Sequence, residues 1–473
     1  MKVTTRALAA RTCMALVVGL SAGLPLALCP GMAATATADP VPVSPALPFP
    51  LPPAPPYLDQ AFYSPAPARV AAAQPGQILA ARQVHLANLW LLPLNADAWQ
   101  LSYRSTNTRG EPIPAVATVI VPHRPAPSGQ RGLLSFQFAE DSLSQNCAPS
   151  YDLQMGALPN PLNPVMQAEF VEVQSMLQRG HAVVIPDHEG PNAAYAVGPL
   201  GGRITLDGIR AAERFAPAGL PGAATRVAMW GYSGGAIPTA HAAELQATYA
   251  PELTIVGTAA GGLMSDIRMA IDYNNGTSTF GGAVLGGLFG VAREYPQVEQ
   301  FVDRYMNSLG KAVRLIHENQ CVALQFAGFP FVNIKGLFDY PGGDPMRAAE
   351  IQPVLNELTL GNRGAPRSPL YIYEAPLDEV MPINADDQLY DTYCRDPRAQ
   401  VTYTRDLLSE HGSAAVAGSA SAALWLDARL NGIPAPTGCH NRDVPTELLD
   451  PGAVAAFAST IGGTLAAALG MPV

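Results

Sequence analysis

The sequence predicts an α/β fold, a mostly parallel sheet with helices on both faces and an inserted helical cap. Three observations predict it. From Gly132 onward, short apolar runs alternate with longer runs at helical spacing. Apolar residues make up 48% of the chain and charged residues only 14%, enough to bury a sheet on both sides. The rhythm then breaks over residues 264–345 and resumes afterwards. A chain of 473 residues accommodates one main domain with such an insertion.

The N-terminus reads as a secretory signal over residues 1–38. Lys2, Arg6 and Arg11 form its positive end, and Met14 to Leu28 its apolar stretch. Ala36-Thr37-Ala38 offers a cleavage site before Asp39, so the mature protein is expected outside the cell. Cys29 loosely resembles a lipid-acceptor cysteine, but Leu28 and Pro30 beside it argue against that use. The formal net charge is −10, and losing three signal cations makes it more negative. Such a protein has no electrostatic reason to bind nucleic acid or anionic lipid.

Residues 39–60 read as a linker, extended because nine prolines fall between 40 and 56. The main domain is expected over 61–263 and 346–473. Trp99–Tyr103 and Val116–Val121 read as an antiparallel hairpin. Strands are expected at Gly132–Phe138, His181–Pro186, Arg226–Trp230 and Leu370–Tyr373. Helices are expected at Ala168–Arg179, Ile204–Phe215 and from Ala236 through Leu245. In the cap, Gly281–Gly290 sets Val284, Leu285, Leu288 and Phe289 among glycines that permit close backbone approach. Val298 to Ile316 has helical periodicity. An Ala-rich last helix, about Ala453 to Leu469, is expected to pack on the domain rather than cross a membrane.

Gly231-Tyr232-Ser233-Gly234-Gly235 matches G-x-S-x-G. The same pattern at Gly19-Leu20-Ser21-Ala22-Gly23 falls in the signal and has no such context. Ser233 follows an apolar strand and precedes a helix, as a nucleophile elbow requires. Small residues at 231 and 235 let the tight turn form. The N–H of Gly234 then faces the place where an oxyanion would develop. A serine nucleophile needs a histidine base and an orienting carboxylate, in the chain order Ser, acid, His. Four histidines follow Ser233. His241 lies on the elbow helix, His317 in the cap, and His440 beside Cys439 beyond the next helix. His411, in a loop before an Ala-rich helix, is the expected base. The acid follows the strand Leu370–Tyr373, with Asp378 favoured and Glu379 the alternative.

Further runs stand out. They are Ala139-Glu140-Asp141-Ser142, Asn146-Cys147-Ala148-Pro149-Ser150-Tyr151, Asp187-His188-Glu189-Gly190-Pro191, Leu206-Asp207-Gly208-Ile209-Arg210-Ala211-Ala212 and Asp378-Glu379-Val380-Met381-Pro382. With the elbow, they make the stretch from about Gln83 to His411 resemble the secretory lipase family. The resemblance implies an α/β-hydrolase fold and hydrolysis of carboxylic esters through an acyl-enzyme. It gives Ser233, Asp378 and His411 the triad positions, and Gly234 and Asp141 the oxyanion donors. It implies no metal or organic cofactor. The partner is a lipid or other ester, with transient contact at lipid interfaces. His188 stands where an aromatic residue is expected, and Leu377 where a small or polar one is; both fall near expected site walls.

Once the signal is removed, four cysteines remain, and an even count in an exported protein suggests two disulfides. Of the three connectivities, the resemblance supports Cys147–Cys321 with Cys394–Cys439. Rival readings are an acyltransferase or short-chain esterase on the same triad, an inactive secreted binding protein, and a peptidase. No acidic pair is obviously placed to hold a peptide amine.

Overall fold

Eleven strands form one sheet in the computed structural model, which describes residues 41–48, 51–126, 129–157 and 163–473. In chain order, β1 is Val43–Ser44 and β2 is Ile78–Gln83. A separate hairpin follows, of β3 (Ala87–Asn88) and β4 (Leu92–Pro93). Next come β5 (Asp97–Thr106), β6 (Pro112–Val121), β7 (Leu133–Gln137), β8 (Ala182–Pro186) and β9 (Val227–Tyr232). The last are β10 (Ile255–Gly261), β11 (Leu370–Glu374), β12 (Val401–Asp406) and β13 (Cys439–Val444). Their spatial order is β1-β2-β5-β6-β8-β7-β9-β10-β11-β12-β13. The β2–β5, β5–β6 and β6–β8 pairs are antiparallel, and every pair from β8 to β13 is parallel.

The signal segment, its cleavage position after Ala38, Cys13 and Cys29 lie outside the described residues. Within the Pro-rich stretch, Val43 and Ser44 pair in parallel with Ala81 and Arg82. Pro42 and Pro45 flank this pair and have no N–H to extend the ladder.

The two central strands explain why the sheet needs helices on both faces. Leu133, Val227 and Met229 enter one core, with Ile204 and Ile209 of the helix Gly198–Arg214 and Ile237 and Leu245 of the helix Ala236–Tyr249. Leu134, Phe136, Ala228 and Trp230 enter the other, with the helices Pro164–Gln178 and His411–Leu430. Each strand is apolar on both sides because both sides are covered.

Residues 264–345 contain the helices Ile267–Asn274, Gly281–Glu294, Pro296–Tyr305, Ser308–His317 and Val322–Gly328. In the glycine-rich helix, Gly282 and Gly286 lie against Gln325, and Gly290 lies against the backbone of Tyr195. Val284, Leu285, Leu288 and Phe289 are buried in the core that also holds Leu133 and Met229. The terminal helix, Pro451–Ala468, buries Ala453, Ala456, Thr460 and Ala467 and packs on the helices Pro164–Gln178 and His411–Leu430. It is long and apolar enough to cross a membrane, yet here it lies on the domain with 17% of it buried.

Identical substitutions at two helical glycines should therefore act oppositely. A Cβ at Gly290 meets the Tyr195 backbone, whereas at Gly462 it meets nothing within 4 Å. Gly290→Ala is expected to destabilise by about 1–3 kcal/mol. Gly462→Ala is expected to stabilise by roughly 0.5–1 kcal/mol through helix propensity. Urea denaturation of both variants checks the signs.

Candidate active site

The connection from β7 runs outward to β8, and the chain then returns past β7 to β9. Ligand crevices form outside the carboxyl ends of strands at such a reversal. Ser233 follows β9 directly, and Asp141 lies four residues beyond the end of β7. The two strands pair up to Gln137 opposite Gly231, so their exit loops share one site.

Ser233 has φ 51° and lies in a short 3-10 turn before the helix Ala236–Tyr249. A Cβ on Gly231 would collide with the Gly235 carbonyl, and one on Gly235 with the Gln137 carbonyl. Gly234 faces the Asp141 carboxylate closely enough to exclude any side chain. The steric demand read from the motif thus extends to all three glycines.

His411 opens the helix His411–Leu430, after the loop that leaves β12. Its Nε2 lies 2.8 Å from Ser233 Oγ, and its Nδ1 lies 2.5 Å from Asp378 Oδ2. Asp378 Oδ1 accepts from the N–H groups of Val380 at 2.7 Å and Met381 at 2.6 Å. These bonds fix the carboxylate and leave Oδ2 for the imidazole. Glu379, the alternative acid, instead accepts from the backbone N–H of His411 at 3.2 Å. Tyr232 donates to the His411 carbonyl at 2.6 Å. Ser233, Asp378 and His411 are 7%, 4% and 9% exposed, so water is nearly excluded. Burial works to lower the His411 pKa. The hydrogen bond and charge of Asp378, with the charges of Glu379 and Asp141, outweigh it and hold the imidazole above its ordinary value.

The loop after β7 is held by polar groups from other elements. Glu169 accepts from the N–H of Ala139 at 3.0 Å, and Glu189 from that of Ser142 at 3.1 Å. Asp187 accepts from the N–H and hydroxyl of Ser150 at 2.9 and 2.6 Å. His188 Nε2 lies 2.9 Å from the Phe138 carbonyl. Asp141 has φ 41°, and burial raises its pKa to about 7 against the opposing charge of His411 and a hydrogen bond from Tyr195. Tyr195 was not singled out from the sequence. It belongs to no motif there, and its partner lies 54 positions away in the chain.

The remaining expectations can be placed. His241 and His317 are buried, and burial lowers their pKa values to about 3 and about 4. His440 is exposed on β13. None of the three bonds to Ser233. His188 is 5% exposed and supports the loop from beneath, while Leu377 is 60% exposed beside Asp378. The disulfides are Cys147–Cys321 and Cys394–Cys439, as the resemblance implied. Among the described residues no cluster of three or more His, Cys, Asp or Glu side chains could hold a metal ion.

His188 offers a test of the loop's support. Burial, partly opposed by the bond to Phe138, lowers its pKa to about 4. The folded state therefore takes up this proton less readily than the unfolded chain does. Stability from this group is complete above about pH 6.5 and falls as the pH drops toward about 4. His188→Phe leaves the Phe138 carbonyl unpaired and is expected to cost about 1–3 kcal/mol at pH 8. The deficit should narrow by about pH 5, because only the wild type carries the histidine. Urea melts at the two pH values check this.

Comparison with known proteins gives the family. The family model described as secretory lipase matches residues 158–438. Lipase A of Arthroderma benhamiae is 34% identical over 435 residues, 89% of each chain. A secreted triacylglycerol lipase of Malassezia globosa is 36% identical, covering 77% of this chain and 79% of its own. A Mycobacterium tuberculosis protein named a probable inactive lipase is also 36% identical, covering 80% of this chain and 83% of its own. The closed-state structure of Candida antarctica lipase A superposes with a TM-score of 0.79 at 28% identity, covering 89% of this chain and 99% of that one. The chain belongs to the secretory lipase family.

Proposed function

We propose that this protein is a secreted carboxylic ester hydrolase of the triacylglycerol lipase kind, working through Ser233, His411 and Asp378. The observation that carries the reading is the continuous hydrogen-bonded line from Ser233 Oγ through His411 to Asp378, at 2.8 and 2.5 Å. His411 takes the Ser233 proton as the hydroxyl attacks the ester carbonyl. The Gly234 and Asp141 N–H groups stabilise the oxyanion. Protonated His411 gives its proton to the leaving alcohol, and water then releases the acid from the acyl-enzyme. Asp378 keeps Nδ1–H in place, so Nε2 is the atom that exchanges the proton.

Residues 264–345 serve in this reading as a cap over Ser233 that contributes to the acyl-chain site. Three contacts support it. Tyr273 donates to the Asp378 carbonyl at 3.0 Å, Asn274 to the Val380 carbonyl at 2.8 Å, and Arg293 to the Leu143 carbonyl at 2.6 Å. With Ser233 only 7% exposed, a lipid ester needs part of this cover to move. Export, with cleavage after Ala38, completes the reading.

The second reading, an inactive binding protein, has one observation in its favour, the name of the Mycobacterium tuberculosis relative. Ser233→Ala is expected to lower activity on p-nitrophenyl esters by about 10⁴-fold or more while the fold persists. A fluorophosphonate should label the wild type at Ser233 alone. A folded wild type that neither reacts nor hydrolyses esters supports the inactive reading. A triglyceride series then separates lipase from short-chain esterase, and added alcohol reveals acyl transfer.

The pH profile gives an independent check. His411 must be neutral to act as base, and its pKa is held above the ordinary imidazole value. kcat/KM is therefore expected to fall on the acid side with a limb above about pH 6.5. Glu379→Gln removes one of the charges that raise this pKa, so the limb should move to lower pH. A kcat/KM that does not fall on the acid side at all would remove His411 from the base role.

A further inference from the structure

A feature far from Ser233 in the chain remains unused. Leu91 N–H donates to the Asn88 carbonyl at 3.2 Å, closing the β3–β4 hairpin with Leu89 and Trp90 as the central turn residues. Their φ values are 49° and 61°, both left-handed. Such a turn ordinarily takes Asn-Gly, and bulky side chains adopt this backbone rarely. Polar bonds clamp it from below. Leu89 N–H donates to Gln167 at 2.7 Å, Gly156 N–H donates to the Trp90 carbonyl at 2.9 Å, and the Trp90 indole N–H donates to Asp152 at 3.3 Å. Above the clamp, Leu89, Leu91 and Leu92 are 57%, 73% and 43% exposed. A strained turn is held so that its leucines stand in solvent.

A second segment meets the first. Asn95, just past β4, donates from Nδ2 to the Gly470 carbonyl at 2.8 Å and accepts from the Val473 N–H at 3.2 Å. Beside this junction Leu465, Leu469 and Met471 are 62%, 87% and 57% exposed. Neither Leu86–Ala96 nor Pro451–Val473 contains an Asp, Glu, Lys, Arg or His.

We propose that the Leu89–Leu92 turn and the end of the terminal helix form a docking surface for a neutral lipid–water interface. The inference rests on the ester-hydrolase reading, which brings the protein to lipid. The leucines of the turn are exposed, and no charged side chain stands among them in the segment. An exposed uncharged apolar turn enters a fluid lipid surface without needing a matched pocket, as a protein partner would require. Trp90 has its indole N–H held at the base of the turn, an arrangement suited to the polar boundary of a lipid layer. The net charge of −10 and the absence of cations in both segments favour neutral over anionic lipid.

The full-length secreted protein is mixed with dioleoylphosphatidylcholine vesicles, with and without anionic phosphatidylglycerol, and sedimented. Leu91→Asp and Leu469→Asp are exposed changes that should leave the fold and p-nitrophenyl acetate hydrolysis unaltered. Wild type is expected to sediment with neutral vesicles. The double variant should partition roughly tenfold more weakly or worse, and anionic lipid should not strengthen binding. Equal partitioning of wild type and variant, or binding that requires anionic lipid, overturns the proposal. So does a dimer abolished by Leu91→Asp in the absence of vesicle binding. If the wild type fails to hydrolyse p-nitrophenyl acetate, the catalytic reading fails, while the sedimentation still decides the surface.

Discussion

The elbow packs directly against the end of β7, and the site depends on that contact. Gly235 lies against the Gln137 carbonyl, and Gly234 against the Asp141 carboxylate. Only backbone without side chains can come this near. The Thr239 hydroxyl reinforces the contact, lying 2.7 Å from the Gly235 carbonyl and 2.8 Å from Gln137 Oε1. A left-handed serine costs roughly 1–2 kcal/mol. Here β7, β9 and the following helix leave Ser233 no other course, so packing of both cores sustains the strain.

That approach obliges the loop after β7 to stay near the elbow, where apolar packing alone does not hold it. Buried acceptors do so instead. Asp187, Glu189 and Glu169 each take a backbone N–H of the loop or its following turn. Burial raises the pKa of all three, to about 7 for Asp187. The charges of Glu189, Asp187 and Asp141 add to the rise at Glu140, and those of Asp141 and Asp187 to the rise at Glu189. A carboxyl raised in this way binds its proton more tightly when folded. Its contribution is complete at acid pH and is lost as the pH rises through the raised value. His188, depressed by burial, acts in the opposite sense. The loop is thus supported by groups whose pH dependences partly cancel between about pH 4 and pH 7.

Much of this was legible because it rests on local demands. The elbow glycines answer a steric requirement within five residues. Strands β7, β8, β9 and β11 are mostly apolar and buried along their length because helices cover both of their faces. Other elements lack such a signature. β13 is a polar, largely exposed edge, and β12 carries the half-buried Thr402 and Arg405, one on each face. β10 includes Gly257 and Gly261, which make room for Trp425 and Tyr373. The β3–β4 turn contains neither glycine nor asparagine at its centre. Asp378 and Glu379 could not be separated by spacing alone. They separate in space, since one reaches the imidazole and the other the backbone N–H of the same histidine. The Asp187-His188-Glu189 run was recognisable as a motif, but its partners lie 37–50 positions away, so its role in holding the loop was not.

The two disulfides complete the same logic. Cys147–Cys321 spans 174 positions and ties the loop after β7 to the helical insertion. Cys394–Cys439 spans 45 positions, and the enclosed segment contains β12, the turn to His411 and the helix that follows. In the chain-entropy model such closures limit the unfolded chain by about 5 and about 4 kcal/mol. Their placement matters more than their sum. Ser233 follows β9 directly and is held by the contact of its flanking glycines with the end of β7. Asp141 lies six residues before Cys147 in the loop that one bridge anchors, and His411 lies within the segment that the other bridge closes. Reduction should therefore loosen the partners of Ser233 before it disturbs the elbow itself, because the elbow is held by backbone contact with β7 and the partners by groups distant in sequence.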